Sequence, residues 1–552
     1  MQAARSTLPG WNRTYPMKAM NTLLRATGLL SLSALYLAAA PMTPVRPNIL
    51  FIYSDDHAQA AISAYGSTVN RTPNIDRLAA GGARFTNSFV TNSICTPGRA
   101  TLLTGQYSHL NGVPVFNCFD GSRDNVAKHL QAGGYHTGMI GKWHLGSDPT
   151  GFDRWIVLPG QGEYWNPSFL VPGGRKLAIT GHCTDITTDL GLEWLRTRPK
   201  DRPFFLMLHQ KAPHRIWEPD ERNKALFKDQ VFAEPDTFRD DYATRPAALP
   251  ANEQTIARDL KRVDLKLEPP VGLAGAALKE WLNVKPTEVT VDGRTLTGKD
   301  LVRWKYQRYM QDYLACVQGV DDGVGQVLDY LDQNGLAENT IVIYSADNGW
   351  YLGELGLYDK RFMYEPGLRA PLLARGPGIK AGSLPAQMVA NLDLAPTFLA
   401  LAGLPIPDSM QGRSLVPLLH GETLADWRPS IYYRYYHDPG HHNTHAHLGV
   451  RTATHKLIHY WKQDAYEMFD LTQDPTEQHN LLFAAGAQDP AIAAQFAELK
   501  AEIARLQKEF GDDGQYAAPA DWPAGSADGP FTASESIGLK TVAEAVAATA
   551  SK

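Results

Sequence analysis

The hydrophobic pattern alternates between short unbroken apolar runs and longer segments with helical spacing. Asn48–Ser54 (NILFIYS) is continuously apolar, which predicts a strand buried on both faces of a mainly parallel sheet. Residues 340–345 repeat the pattern, and 138–141 and 203–209 read as further strands. Helices are predicted over 74–82, 124–133 and 302–334. In the last of these Met310, Leu314, Val317, Val320, Val324, Val327 and Leu331 recur at three- and four-residue steps, and the pattern stops at Gly335. Strands alternating with helices imply an α/β layered fold with helices flanking the sheet.

Two stretches break this rhythm. Residues 220–300 are polar and punctuated by proline, and read as an excursion over the sheet. After Gly412 come short aromatic strands over 432–436, 449–451, 456–460 and 466–470, then one helix over 491–510, which predicts a small antiparallel sheet closed by a helix. The division that follows is a leader and signal peptide over 1–40, a large α/β domain over 47–411, a C-terminal subdomain over 412–510 and a mobile tail over 511–552, where Gly, Ala, Pro and Ser dominate.

Composition narrows the class. With 552 residues, 43% hydrophobic and 20% charged, the chain reads as a globular protein with a large core. Its net charge of −5 argues against a nucleic-acid partner, so any anion must be held by locally placed cations. Lys18 and Arg25 precede an apolar run over 26–40 that ends in Ala-Ala-Ala before Pro41. That is the layout of a cleaved signal peptide, with an uncleaved anchor as the alternative, and it predicts an exported, periplasmic or secreted protein with no stable membrane anchor. Four cysteines make no disulfide scaffold at this length; Cys118 and Cys183 are the candidates for a pair, and Cys316 is expected as a buried apolar residue.

Candidate chemistry lies at two strand ends. Asp55-Asp56 follows the first strand and Asp347-Asn348 follows the strand over 340–345. Sites in open α/β sheets gather at the carboxyl ends of strands, so these distant pairs are placed to converge. Three carboxylates and an amide suit a hard divalent cation, Ca²⁺ or Mg²⁺. Between them, residues 93–107 read SICTPGRATLLTGQY.

That Cys-x-Pro-x-Arg core with its Leu-Thr-Gly run resembles the formylglycine signature of type I sulfatases, of the alkaline phosphatase superfamily. The segments 48–56, 72–78 (TPNIDRL), 141–146 (GKWHLG), Pro213-His214, Asp347-Asn348-Gly349 and Lys360 before Tyr364-Glu365 resemble further blocks of that family in the same order. Gly98 and Leu355 depart from the serine and histidine that many relatives carry there.

The resemblance implies an alkaline-phosphatase-like fold and a sulfuric ester hydrolase. It implies that a formylglycine-generating maturation enzyme oxidises Cys95 to an aldehyde, and that Ca²⁺, rather than Mg²⁺, is held by Asp55, Asp56, Asp347, Asn348 and the modified Cys95. Arg99 would brace the nucleophile; Lys142, His144, His214 and Lys360 would surround the sulfate, with His214 protonating the leaving alkoxide. An aldehyde hydrate carries two hydroxyls on one carbon: one attacks sulfur, and the other, on losing its proton, expels sulfate and restores the aldehyde.

The nearest resemblance is to bacterial glycan sulfatases acting on N-acetylglucosamine 6-sulfate, which implies a sulfated carbohydrate as substrate. Tyr164 and Trp165 offer flat faces for a sugar ring, and His445 and Arg451, beside a histidine-rich segment over 437–447, are further candidates to touch it. The same superfamily leaves a phosphodiesterase or phosphonate monoester hydrolase as an alternative. An unmodified Cys95 would leave a non-catalytic binder of sulfated glycans.

Overall fold

The computed structural model describes residues 46–529, 535–539 and 541–549. The leader read over 1–40 lies outside them. A ten-stranded sheet runs through the described chain, with five parallel strands at its centre: Thr340–Ala346, Asn48–Ser54, Phe204–His209, His136–Lys142 and Arg154–Leu158. Leu372–Arg375 and Gly82–Arg84 extend one edge antiparallel. Ser168–Val171 and Arg175–Ile179 extend the other.

The first strand shows why its sequence is apolar throughout. Leu50 and Ile52 face one core layer, with Leu206, Leu208, Val342 and the long helix Gly298–Gln333. Ile49, Phe51 and Tyr53 face the other, with Phe205, Met207 and Phe398. Successive side chains of a strand alternate between faces, so a strand covered on both sides is apolar at every position.

The strands over 138–141, 203–209 and 340–345 and the helices over 74–82, 124–133 and 302–334 all form, within a few residues of the expected ends. The sequence reading missed Arg154–Leu158 and the helix Cys183–Thr197. The excursion over 220–300 is largely irregular, apart from short elements such as the helix Gly275–Leu282 and the hairpin Glu288–Val291/Arg294–Thr297. That hairpin turns at Asp292-Gly293, both at positive φ (50° and 75°), the geometry its right-handed twist requires.

A four-stranded antiparallel sheet, Ser430–Tyr435, His447–Thr452, His455–Tyr460 and Ala465–Asp470, packs with the helix Pro490–Phe510. Beyond Gly511 the structure departs from the mobile tail that composition predicts. Glu535–Leu539 adds a parallel strand beside Arg175–Ile179, and the helix Val542–Thr549 buries Ala545 and Val546. A few apolar residues at strand and helix spacing suffice to dock a segment whose overall composition is polar and small.

The cysteines also differ from expectation. Cys118 and Cys183 are both unpaired: Cys183 is buried at the start of its helix, and Cys118 lies against Gly525. Cys316 is buried inside the long helix, as expected. No described helix is long and apolar enough to cross a membrane.

Candidate active site

The register of the central strands builds the site. Ser54 pairs with Ala346 in a parallel ladder, so the residues that follow, Asp55-Asp56 and Asp347-Asn348, leave the sheet side by side. Lys142 ends the strand two positions across. The helix Cys95–Thr104 begins at the same edge, with Cys95 as its first residue and Arg99 one turn on along the same face. All of these residues are buried.

Cys95 Sγ lies 3.2 Å from Asp55 Oδ1, and Lys360 Nζ stands 3.1 Å from the same sulfur. Lys142 Nζ bonds Asp55 Oδ2 and, at 2.5 Å, Gln161 Oε1. Lys360 also bonds Asp56 Oδ1. Arg99 donates to Asp347 Oδ2 at 2.8 and 3.1 Å and to the Lys142 carbonyl at 2.6 Å, which ties the helix to both strand ends. His214 Nε2 is 3.8 Å from Asp56 Oδ2, and its carbonyl accepts from Tyr164 Oη at 2.8 Å.

The charges explain one another. Burial alone would raise the Asp55 carboxyl, but Lys142, His214 and Arg99 outweigh it and hold Asp55 well below the carboxylate range. Burial carries Asp56 up to about 6 and Asp347 to about 7, with Asp55 adding to both. Burial and the charge of Asp55 push the Cys95 thiol up, so the encoded cysteine is no ready thiolate. Burial makes His214 and His144 neutral imidazoles, His144 titrating near 4.

Carboxylates that burial, and then one another's charge, drive towards protonation are placed where a cation would be favourable. The acceptors agree: Asp56 Oδ2 and Asn348 Oδ1 are buried with no donor. Ligand atoms of Asp55, Asp56, Cys95 and His214 lie within 4.8 Å of one another. An oxygen-rich set of this kind fits a hard divalent ion, for which the His214 nitrogen is the poorest of the available donors.

The backbone is strained at the same place. Asp56 (φ 64°), His144 (φ 52°), Asp359 (φ 71°) and Arg361 (φ 91°) all occupy the left-handed region, which side chains other than glycine adopt at a cost. Gly98 is demanded by packing: a Cβ there would lie 2.6 Å from the Asp347 carbonyl oxygen. Leu355, the second departure, is buried in the core that faces the small sheet.

Of the four candidates for sugar contact, Tyr164 touches the backbone of His214, and the other three meet partners outside the group around Cys95. Tyr164 is buried beneath His214, with Lys211 Nζ 4.6 Å above its ring. Trp165 packs edge-on against His182 and lines a separate cavity with Glu218, Lys224 and Asp312. Arg451 turns into a buried ion cluster, 3.3 Å from Glu365, and His445 pairs with Asp438 at 3.0 Å. Their residue types suit a sugar, but nearer partners fix their direction.

The sequence reading missed a second group. Asp359 and Arg361 flank Lys360 and pair at 2.6 Å; His442 bridges Asp359 and Asp259 at 2.9 and 3.0 Å. Asp359 Oδ1 and Arg361 Nε remain buried without partners. Proximity to Lys360 in the chain was the signal available for Asp359 and Arg361, and His442 belongs to the histidine-rich segment over 437–447.

The sulfatase family profile matches residues 47–404, and the profile of the N-sulphoglucosamine sulphohydrolase C-terminal region matches 353–509. An N-acetylglucosamine-6-O-sulfatase of Bacteroides thetaiotaomicron is 41% identical over 517 residues, which cover 88% of this chain and 92% of that protein. The human N-acetylglucosamine-6-sulfatase is 26% identical over 71% of this chain and 67% of its own length. A solved structure of a protein with its substrate D-glucosamine-2-N,6-O-disulfate superposes with a TM-score of 0.78 at 39% identity, covering 85% of this chain and 99% of that one. A phosphonate monoester hydrolase from Silicibacter pomeroyi shares the fold alone, at 21% identity and a TM-score of 0.62. With the profile spanning the converged strand ends, the Cys95 helix and Lys360, the chain belongs to the sulfatase family.

Proposed function

We propose that this sulfuric ester hydrolase is exported and removes the 6-O-sulfate from N-acetylglucosamine or a related glucosamine unit of a sulfated glycan. The observation that carries the substrate is the 41% identity to a B. thetaiotaomicron N-acetylglucosamine-6-O-sulfatase across nearly the whole of both chains. The likeness to a structure holding a 6-O-sulfated glucosamine supports it. The leader over 1–40 supports export.

The geometry supports the following roles. Asp55, Asp56, Asp347 and Asn348 would hold Ca²⁺, which supplies positive charge to the sulfate oxygens. Cys95, matured to formylglycine, supplies through its hydrate a hydroxyl nucleophile at the start of a helix, where the backbone dipole favours an anion. Lys142 and Lys360 bracket that position and offset the charge that builds on the sulfate oxygens. Arg99 fixes Asp347 and the Lys142 backbone and so keeps both strand ends in register. His214, a neutral imidazole before substrate binds, would take up a proton beside the bound anionic sulfate and pass it to the sugar oxygen, whose alkoxide is too basic to leave without one. The free valences of Asp359 and Arg361 suit the hydroxyls and ring substituents of the sugar.

The test is sulfate release from N-acetylglucosamine 6-sulfate, galactose sulfates, N-acetylgalactosamine sulfates and glucosamine N-sulfate by protein coexpressed with a maturation enzyme. Preferred release from the first is expected. Preference for another sugar overturns the substrate; faster turnover of a matched phosphate ester overturns the reading as a sulfatase in function. Retention of the Cys95 thiol, by peptide mass spectrometry of protein matured in its native host, overturns the formylglycine assignment.

A further inference from the structure

One segment reaches the site from a part of the chain that composition dismisses. Phe510 and Asp512 anchor its start: the Phe510 carbonyl accepts from Gln411 Nε2 at 3.1 Å and lies 2.9 Å from His109 Nε2, and Asp512 Oδ2 accepts from Tyr432 Oη at 2.6 Å. The chain then crosses towards the edge of the site. Trp522 packs 4.8 Å from the His437 ring, and Ala527 N donates to the Phe116 carbonyl at 2.9 Å. Farther on, the strand Glu535–Leu539 pairs with Arg175–Ile179.

Two glycines of the large domain make room for it. A Cβ on Gly146 would lie 2.3 Å from the Ser526 carbonyl oxygen, and one on Gly160 would lie 2.8 Å from Asp528 Oδ1; both glycines sit at positive φ. The strap therefore fits a groove shaped for it. It delivers Asp528, whose Oδ1 stands 3.3 Å from His144 Nε2. The opposite ring nitrogen, Nδ1, lies 3.5 Å from Thr96 Oγ1, next to Cys95; that hydroxyl donates to the His144 carbonyl at 3.2 Å, so the carboxylate of Asp528 is the nearer partner of the ring.

We infer that Asp528 is a positioning residue that holds His144 in one tautomer, with the proton on Nε2 and the Nδ1 lone pair turned towards the residue-95 side of the site. An acceptor on one ring nitrogen fixes which nitrogen is basic. The separation lies at the outer edge of hydrogen-bond reach, as catalytic contacts do in resting sites. The Asp528 side chain is 70% exposed, so solvent screening limits the effect. The inference rests on the reading of His144 as part of the sulfatase site.

The experiment compares Asp528→Ala and Asp528→Asn with the wild type in two ways. The first is the ring ¹⁵N signature of His144 in the unmatured, ¹⁵N-histidine-labelled protein, assigned by its loss in His144→Gln; it needs no activity. The wild type and Asp528→Asn, which keeps an acceptor, are expected to show the Nε2–H tautomer, and Asp528→Ala a mixture. The second is steady-state kinetics of the matured enzyme, where Asp528→Ala is expected to lower kcat about tenfold with KM nearly unchanged. An unaltered tautomer in Asp528→Ala overturns the inference, and so does a rise in KM alone, which would make the strap a sugar contact. An inactive wild type would overturn the sulfatase reading while the tautomer measurement still decides this one.

Discussion

Two clusters of buried charge in this molecule have similar composition and opposite character. At the strand ends, Asp55, Asp56 and Asp347 meet Lys142, Lys360 and Arg99. Under the small sheet, Glu365, Glu467 and Glu477 meet Lys456, Arg451 and Arg245. The second cluster is a chain of pairs: Lys456 Nζ lies 2.9 Å from Glu365 and 2.7 Å from Glu477 and donates to the Met363 carbonyl, with Arg245 Nε left without an acceptor and Glu477 at positive φ (57°). The first converges on a point, with two acceptor atoms left open and four residues at positive φ around it. Buried charge alone does not mark a site, and neither does one open valence or one strained residue; several acceptors converging on one point, with several strained residues around it, do.

The sharpest break of that comparison is to remove the groups at the point of convergence. Cys95→Ala and His214→Ala are each expected to lower turnover by ~10³-fold or more, with thermal unfolding close to the wild type, because a nucleophile and a proton donor act as one unit with their neighbours. Either purified variant turning over at the wild-type rate would remove that residue from the mechanism.

The paired cluster should answer in the opposite currency. Lys456→Met leaves Glu365 and Glu477 facing each other without the cation they share, and breaking a buried pair in this way costs about 3–5 kcal/mol. Denaturant unfolding should register the loss, while kcat per folded molecule stays within about twofold of the wild type. A variant as stable as the wild type but inactive would place Lys456 in the site and dissolve the distinction.

The sequence made the first cluster legible and the second misleading, for a physical reason. Asp55-Asp56 and Asp347-Asn348 each follow an apolar run, and parallel pairing in register brings the two ends together whatever lies between. Arg451 carries no such cue. It lies in a strand of the small sheet, and its partner Glu365 is 86 residues away. Asp359 and Arg361 were hidden because their roles depend on each other, on His442 and on Asp259 rather than on a local pattern; His442 was visible as a member of the histidine-rich segment, but not its partners. The strap was hidden by composition, since its fit depends on missing side chains at Gly146 and Gly160 rather than on its own apolar content.

Gly98 tests whether the convergence point tolerates adjustment. Gly98→Ser restores the residue that many relatives carry, yet its Cβ would press on the Asp347 carbonyl at 2.6 Å, a backbone atom that cannot swing aside. Overpacking of this kind costs about 1–3 kcal/mol, and it falls on a residue that Arg99 ties to the helix. A lower melting temperature and a lower kcat are expected together. If both are unchanged, the strand end yields freely and the site is less rigid than its backbone strain implies.

The smallest expected effect is also the cleanest check on what a flat aromatic face means here. Trp165 is among the more exposed large apolar side chains, at 38%, which invites a role in holding a sugar. Its ring meets His182 edge-on, and the cavity it borders is lined by Glu218, Lys224, Lys266 and Asp312, none of which belongs to the group around Cys95. Tyr164, its neighbour, also meets His182, stacked at 5.5 Å, but its hydroxyl supports the backbone of His214. Trp165→Ala should therefore leave kcat and KM for a monosaccharide sulfate within about twofold and cost little stability, as an exposed ring does. A tenfold rise in KM for that small substrate would join the two cavities into one binding surface and return Trp165 to the site.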